Sequence, residues 1–222
     1  MKFGKLFLIF FTLCASAHAS PYFAAETIKP TLISSPFKKG SAEWKKEISE
    51  IIEMQKNPDP REIEQAKKEF RYVSETLVLA VDESLSREKF PKLYAMLDRA
   101  GETSHAVNDQ AKNYYDTKRP YLSDKRVKAL IEAHSNPSYP SGHTCGSYTT
   151  AHIMALLVAQ KRDQFYARAQ KIAWHRALTG MHFPNDLDGG REMALLVVGG
   201  LLQNKDFQKD FSAAQQELRG LK

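Results

Sequence analysis

Lys112 and Arg119 stand seven residues apart in the stretch KNYYDTKRP, with Pro120 directly behind them. Seven residues is two helical turns, so the spacing predicts one helix that carries both cations on one side and closes at the proline. A lysine supplies a point charge and an arginine a planar two-donor fork, a pairing that suits a tetrahedral oxyanion. A second stretch, PSGH at 140–143, stands immediately before an apolar helical run. A helix mouth turns free N–H groups and the positive end of its dipole outward. Gly142 lets the backbone approach a ligand, the Ser141 hydroxyl can donate to it, and His143 stands where it can give a proton to a group bound there. The third stretch is HRALTGMHFPND, 175–186. Arg176 lies on a deeply patterned helix, where a buried guanidinium needs an anionic partner, either a carboxylate or a ligand. His182 follows the Gly180 break, and Asp186, four residues on, is close enough to accept from one imidazole nitrogen. That bond would fix the tautomer and leave the other nitrogen a lone pair, as an oriented nucleophile requires.

Each stretch alone has a plainer description: a solvated basic face, a capped helix with a surface histidine, a helix-capping aspartate beside a structural histidine. Together they supply cations for an anion, a proton donor and a nucleophile. The elements that must position them are helical. Trp44, Ile48, Ile51 and Ile52 mark one face after an N-cap at Ser41, and Asn57-Pro58-Asp59-Pro60 ends that segment. Ile63, Ala66, Phe70, Val73, Leu77 and Ala80 predict a second, longer helix. Shorter helices are predicted over 90–100, 104–116 and 124–134, followed by helices over 143–160, 163–179, 187–203 and 207–219. Strand-like alternation is almost absent and no internal repeat occurs. The expectation is an all-α, single-domain helical bundle over 41–222, preceded by an irregular N-terminal arm over 20–40. Its polar breaks, 117–144 and 180–190, are where a site belongs, since loops held by helices carry most of them.

The chain has 222 residues, enough for one domain with its own core. Lys2 and Lys5, the apolar run LFLIFFTL at 6–13 and the Ala17-His18-Ala19 pattern read as a cleaved signal peptide over 1–19, which implies a periplasmic protein. Removing those two lysines from 32 basic residues leaves 30 against 26 acidic, a net of +4. The charge is scattered, which suits small anions and not nucleic acid. Cys145 is the one cysteine left after cleavage, so no internal disulfide is expected and stability rests on core packing. No later apolar stretch approaches the ~18 residues of a membrane span. The histidine spacings match no metal-ligand pattern, so neither a metal nor another cofactor is expected.

The ordered sets K-x6-R-P, P-S-G-H and R-x5-H-x3-D resemble those of the type-2 phosphatidic-acid phosphatase superfamily, which also holds the vanadium haloperoxidases. Within it the chain is similar to the secreted bacterial class A nonspecific acid phosphatases. Gly40-Ser41, Tyr139 before PSGHT, Asp188-x-Gly190-Arg191 and Asn204-Lys-Asp-Phe207 extend the likeness from about residue 40 to the C-terminus. The resemblance implies an acid phosphatase that acts on small monoesters such as nucleotides, sugar phosphates and aryl phosphates. It makes Lys112, Arg119, Ser141, Gly142 and Arg176 the phosphate holders, His143 the general acid, His182 the nucleophile that forms a phosphohistidine, and Asp186 its orienting carboxylate. It also implies inhibition by vanadate, and the family often assembles as homo-oligomers. One departure stands out: where the family usually has serine this chain has His175, which either replaces a phosphate contact or points elsewhere. The rival readings are a vanadium-dependent haloperoxidase, a non-catalytic phosphate-binding protein and a lipid-phosphate phosphatase.

Overall fold

The computed structural model describes residues 19–69 and 73–219. The expected signal peptide, apart from its last residue, lies outside them, as does Phe70. Among the described residues the regular structure is α-helix and short 3₁₀ turns. Helix α1 (Ala42–Met54) starts on Ser41, whose hydroxyl accepts from the Trp44 N–H at 3.2 Å. Its Ile48 and Ile51 pack against Val127 and Phe183, which ties it to the loop before the site and to the mouth of a later helix. Burial of such a side chain contributes about 1.5–3 kcal/mol.

The single longer helix expected over 63–80 is two. α2 (Pro60–Lys68) is capped by Asp59 and ends at Glu69, and α3 (Val73–Val81) follows. The reason lies at the break: the Glu69 side chain is fully buried and turned toward the helix that carries Arg176. The opposite happens over 90–116, where two expected helices are one, α4 (Pro91–Tyr115). Gly101 is the residue between them, and one helical glycine costs only about 1 kcal/mol. Packing of Leu93, Met96, Leu97, Ala100, Val107 and Ala111 in the main core outweighs that.

The helix expected over 124–134 does not form. Gln55 takes both backbone groups of Lys128, and the Leu130 N–H donates to the Thr179 carbonyl at 3.1 Å, so the i→i−4 ladder has lost its members to tertiary partners. Val127 and Ile131, four apart, enter different apolar clusters. Only a four-residue turn, α5 (Pro120–Ser123), precedes that stretch.

The later helices follow their expected spans closely: α6 (Gly142–Leu157), α7 (Arg162–Leu178), α8 (Pro184–Gln203) and α9 (Lys205–Leu218). α6 runs through the middle, against α4, α7 and α8. Its buried face is small, with Thr144, Cys145, Ser147, Thr149, Thr150 and Ala151, so neighbouring helices come close. On α8 the pair Gly189-Gly190 allows the closest approach. A Cβ on Gly190 would stand 2.7 Å from the Ser141 carbonyl oxygen, and one on Gly189 would run into the Tyr139 ring. The arm over 20–40 is irregular apart from two 3₁₀ turns, yet it is fastened down: Tyr22, Ile28 and Ile33 are buried in the main cluster. Among the described residues no helix is long and apolar enough to cross a membrane.

Candidate active site

Lys112 and Arg119 do not share a helix. α4 stops at Tyr115 because Asp116 adopts a left-handed conformation (φ 44°) and its N–H closes on the Lys112 carbonyl. Arg119 is the residue before α5, and Pro120 opens that turn instead of closing a helix. Both cations nevertheless reach one loop. Lys112 Nζ donates to the carbonyls of Pro137 (2.7 Å) and Ser138 (2.8 Å). Arg119 donates to the Asn136 carbonyl (3.0 Å), the Asn136 side-chain oxygen (2.7 Å) and the Met181 carbonyl (2.9 Å). The loop is itself pinned to the end of α4, Ser138 N–H to the Thr117 carbonyl and Tyr139 N–H to the Thr117 hydroxyl.

The next elements bring the histidines to the same place. Gly180, at φ 73°, reverses the chain after α7, so that the Met181 and His182 N–H groups both donate to the Arg176 carbonyl. His182 Nδ1 lies 3.1 Å from Asp186 Oδ2, and its Nε2 lies 3.1 Å from Arg119 Nη1. A guanidinium only donates, so Nε2 must accept and the proton must sit on Nδ1, facing the carboxylate. Oδ2 of Asp186 also accepts from the Ser138 hydroxyl (2.5 Å) and the Phe183 N–H (2.9 Å). Residue type alone does not single out Ser138 or Asn136; their place between the first two motifs is the one signal that points to a role. Ser141 caps α6, its hydroxyl oxygen accepting from Thr144 Oγ1 at 3.0 Å and from the Thr144 N–H at 3.4 Å, and its own N–H donates to the Asp186 carbonyl. Gly142 packs on Asn108 and the Lys112 stem, where an added Cβ would meet Asn108 Nδ2 at 3.3 Å.

Two members of this group are left open. Arg176 is 1% exposed, and none of its three guanidinium nitrogens has a partner. His143 Nε2 is buried and unpartnered as well. Almost every buried polar group in a folded protein is satisfied, so a lone buried guanidinium marks a place kept for an anion.

The electrostatics say the same. Burial, then the charge of Arg119, lowers the Lys112 ammonium to about 7. Burial, then Arg119, Lys112, Arg176 and His143, puts His182 well below the ordinary histidine value. His143 is lowered likewise, by burial and then by Arg176, His134, Arg119 and Lys112. Asp186 is raised to about 6 by burial, against the bonds from Ser138 and Phe183. Every cationic group in the cluster is short of negative charge. A bound dianion would supply it.

His175 is not part of this group. It is fully buried, with Nδ1 2.7 Å from Glu69 and Nε2 2.8 Å from Glu62, so neither nitrogen is free for phosphate. The position that follows a helical turn of about 100° per residue decides this: when Arg176 faces the pocket, its neighbour faces α2. On the far side of Asp186 a cleft of about 390 Å³ opens between α1, the 116–118 loop and the mouth of α8, walled by Trp44, Phe37, Phe183 and Glu47. Glu47 accepts from the Asn185 N–H at 2.5 Å.

Residues 100–209 match the model of the PAP2 superfamily. A non-specific acid phosphatase of Providencia stuartii is 28% identical over 153 residues, 67% of this chain and 60% of that one. An acid phosphatase of Zymomonas mobilis is 30% identical over 139 residues, 61% of this chain and 53% of that one. A non-specific acid phosphatase of Salmonella typhi is 33% identical over 119 residues. The aligned part thus spans between half and two thirds of the first two relatives. A bacterial vanadium-dependent iodoperoxidase shares the fold, with a TM-score of 0.59 over 78% of this chain and 51% of its own, at 15% identity. All three motif clusters from Lys112 to Asp186 lie inside the matched stretch, and the chain belongs to the PAP2 superfamily.

Proposed function

We propose that this chain is a periplasmic acid phosphatase that hydrolyses small phosphate monoesters of varied leaving group, through a phosphohistidine and without a metal ion. The observation that carries the reading is the unpartnered, buried Arg176 guanidinium beside the unpartnered His143 nitrogen. The relatives named as acid phosphatases support the same reading.

The phosphoryl oxygens take the donors of Arg176, Arg119 and Lys112, together with the mouth of α6 at Ser141 and Gly142. When the anion enters, Arg119 Nη1 turns from His182 Nε2 to a phosphoryl oxygen and uncovers the lone pair. Nε2 then attacks phosphorus, the bond to the leaving oxygen breaks, and that oxygen takes the proton of His143 Nε2. Asp186 holds Nδ1–H throughout and stabilises the imidazolium that forms on His182. In the second half water attacks phosphorus, neutral His143 takes its proton, and the P–N bond breaks to release phosphate. Proton transfer by His143 contributes about 10²–10⁴-fold. The cations and the helix mouth supply the larger share, since the transferring group has its charge on the oxygens they hold.

The test is release of phosphate from p-nitrophenyl phosphate by the purified protein, across pH and with a chelator. Turnover on the acid side, untouched by the chelator and inhibited by vanadate, supports the reading. Strict dependence on an added divalent metal, or binding of phosphate with no turnover, would sink it.

A further inference from the structure

Behind Arg176 lies a second buried polar cluster that the reaction does not use. Arg168 and His175, seven residues apart on α7, face α2. Arg168 Nη2 donates to Glu69 Oε1 at 2.6 Å and His175 Nδ1 lies 2.7 Å from Glu69 Oε2, so both oxygens of that carboxylate are engaged. His175 Nε2 reaches Glu62 at 2.8 Å, which Lys171 also pairs at 2.8 Å. Both ring nitrogens therefore face carboxylate oxygens. A neutral imidazole would point a lone pair at one of them, and only the imidazolium donates twice. α6, on the other side of α7, carries no Asp, Glu, Lys or Arg, and its His152 bonds to Tyr166; Glu75 of α3 pairs with Arg87. The groups facing His175 are thus the two glutamates of the α2 region.

Glu69 is also close enough for its charge to act favourably on Arg176, although no ion pair joins them. Burial would raise the Glu69 carboxyl, but the bond and charge of His175, with Arg168, outweigh that and hold it ionised. A fully buried carboxylate beside an unpartnered guanidinium would pair with it unless something else held it.

We propose that His175 is a positioning residue: clamped as an imidazolium between Glu69 and Glu62, it occupies the carboxylate that would otherwise capture Arg176, and so keeps that guanidinium free for the phosphoryl oxygens. This rests on the phosphatase reading above. It gives the departure from the family's usual serine a purpose in this chain, at a distance from the substrate.

The test uses inorganic phosphate binding by calorimetry and the KM for p-nitrophenyl phosphate. His175→Ala should weaken phosphate binding and raise KM by about tenfold or more, the scale of a lost charged hydrogen bond, with a smaller change in kcat. Adding Glu69→Gln to that variant should restore binding to within about threefold of wild type, since no carboxylate is left to take Arg176. A structural role alone predicts no such rescue, and a double variant as weak as the single one would overturn the proposal. ¹⁵N shifts of His175 in the wild-type protein give a reading that needs no variant: protons on both nitrogens support the clamp, and a neutral tautomer overturns it. Wild-type protein that binds no phosphate would remove the phosphatase reading itself; tight binding that His175→Ala leaves unchanged would remove only this inference.

Discussion

Arg119 and Arg176 reach the same pocket, both buried, and their surroundings are opposite. Arg119 is held by three carbonyls and an amide oxygen in addition to His182, while no guanidinium nitrogen of Arg176 has a hydrogen-bond partner. The same contrast runs across α7. His175 and its carboxylates form a closed network in which each charge is answered, and the face with Arg176, His143 and His182 is left with surplus positive charge. Closed networks fix structure, because their opposite charges offset much of one another's lost hydration; among the buried nitrogens of the Arg168 guanidinium only Nε lacks a partner. An open network costs stability in the free protein and recovers it when the missing anion arrives. The contrast sets the two sides of the helix apart without reference to any motif.

The sharpest way to break the contrast is to remove the proposed nucleophile, His182. His182→Ala should lower kcat on the order of 10⁴–10⁶-fold while phosphate binding survives, because the oxyanion donors remain. Single-turnover kinetics and calorimetry check the two halves, and a variant with near-normal turnover would dismiss the nucleophile assignment.

Next come the arginines. Arg176→Met should lower kcat/KM by about 10²–10³-fold and yet raise Tm in phosphate-free buffer, since it replaces an unanswered buried cation with an uncharged side chain of similar length. Arg119→Met should lose activity and Tm together, because it strands the Asn136 and Met181 carbonyls. Thermal melts beside rate measurements read both; a Tm shift in the same direction for the two variants would mean that the two guanidiniums do not differ in how they are held.

Phosphate binding should also move protons. In the free site His143 is held well below the ordinary histidine value by burial and then by Arg176 and its neighbours, which favours its neutral form. A dianion supplies the missing counter-charge, raises its affinity for a proton, and binding therefore takes a proton up. Affinity should fall as pH rises, and calorimetry in buffers of different ionisation enthalpy counts the protons.

The smallest effect is at Glu47. Burial, with the charges of Asp186, Glu50 and Asp188, raises its carboxyl to about 8 from 4.5, against the bond from Asn185. A folded value above the unfolded one gives stability that is present below about pH 4.5 and lost as pH rises toward 8. Glu47→Gln should flatten that part of the Tm–pH curve, and an unchanged slope would mean another group is responsible.

What could be read from the sequence was what is local. The i,i+4 spacing of His182 and Asp186 gave a bond that the structure shows at 3.1 Å, and the Ser141 cap and the spans of the last four helices follow from periodicity and capping within a few residues. The kinds of donor available to an oxyanion were equally plain, since they depend on residue type alone. What the tertiary structure decided was convergence. Lys112 and Arg119 meet through a left-handed Asp116 and a shared loop, not one helix; the 124–134 segment gives up its helix to Gln55 and Thr179; His175 turns to Glu69 and Glu62. Each of these outcomes depends on which partner, tens of residues away, competes for a backbone or charged group. That competition is settled by close packing, here the approach of α8 to α6 that Gly189 and Gly190 permit, and no window of neighbouring residues contains it.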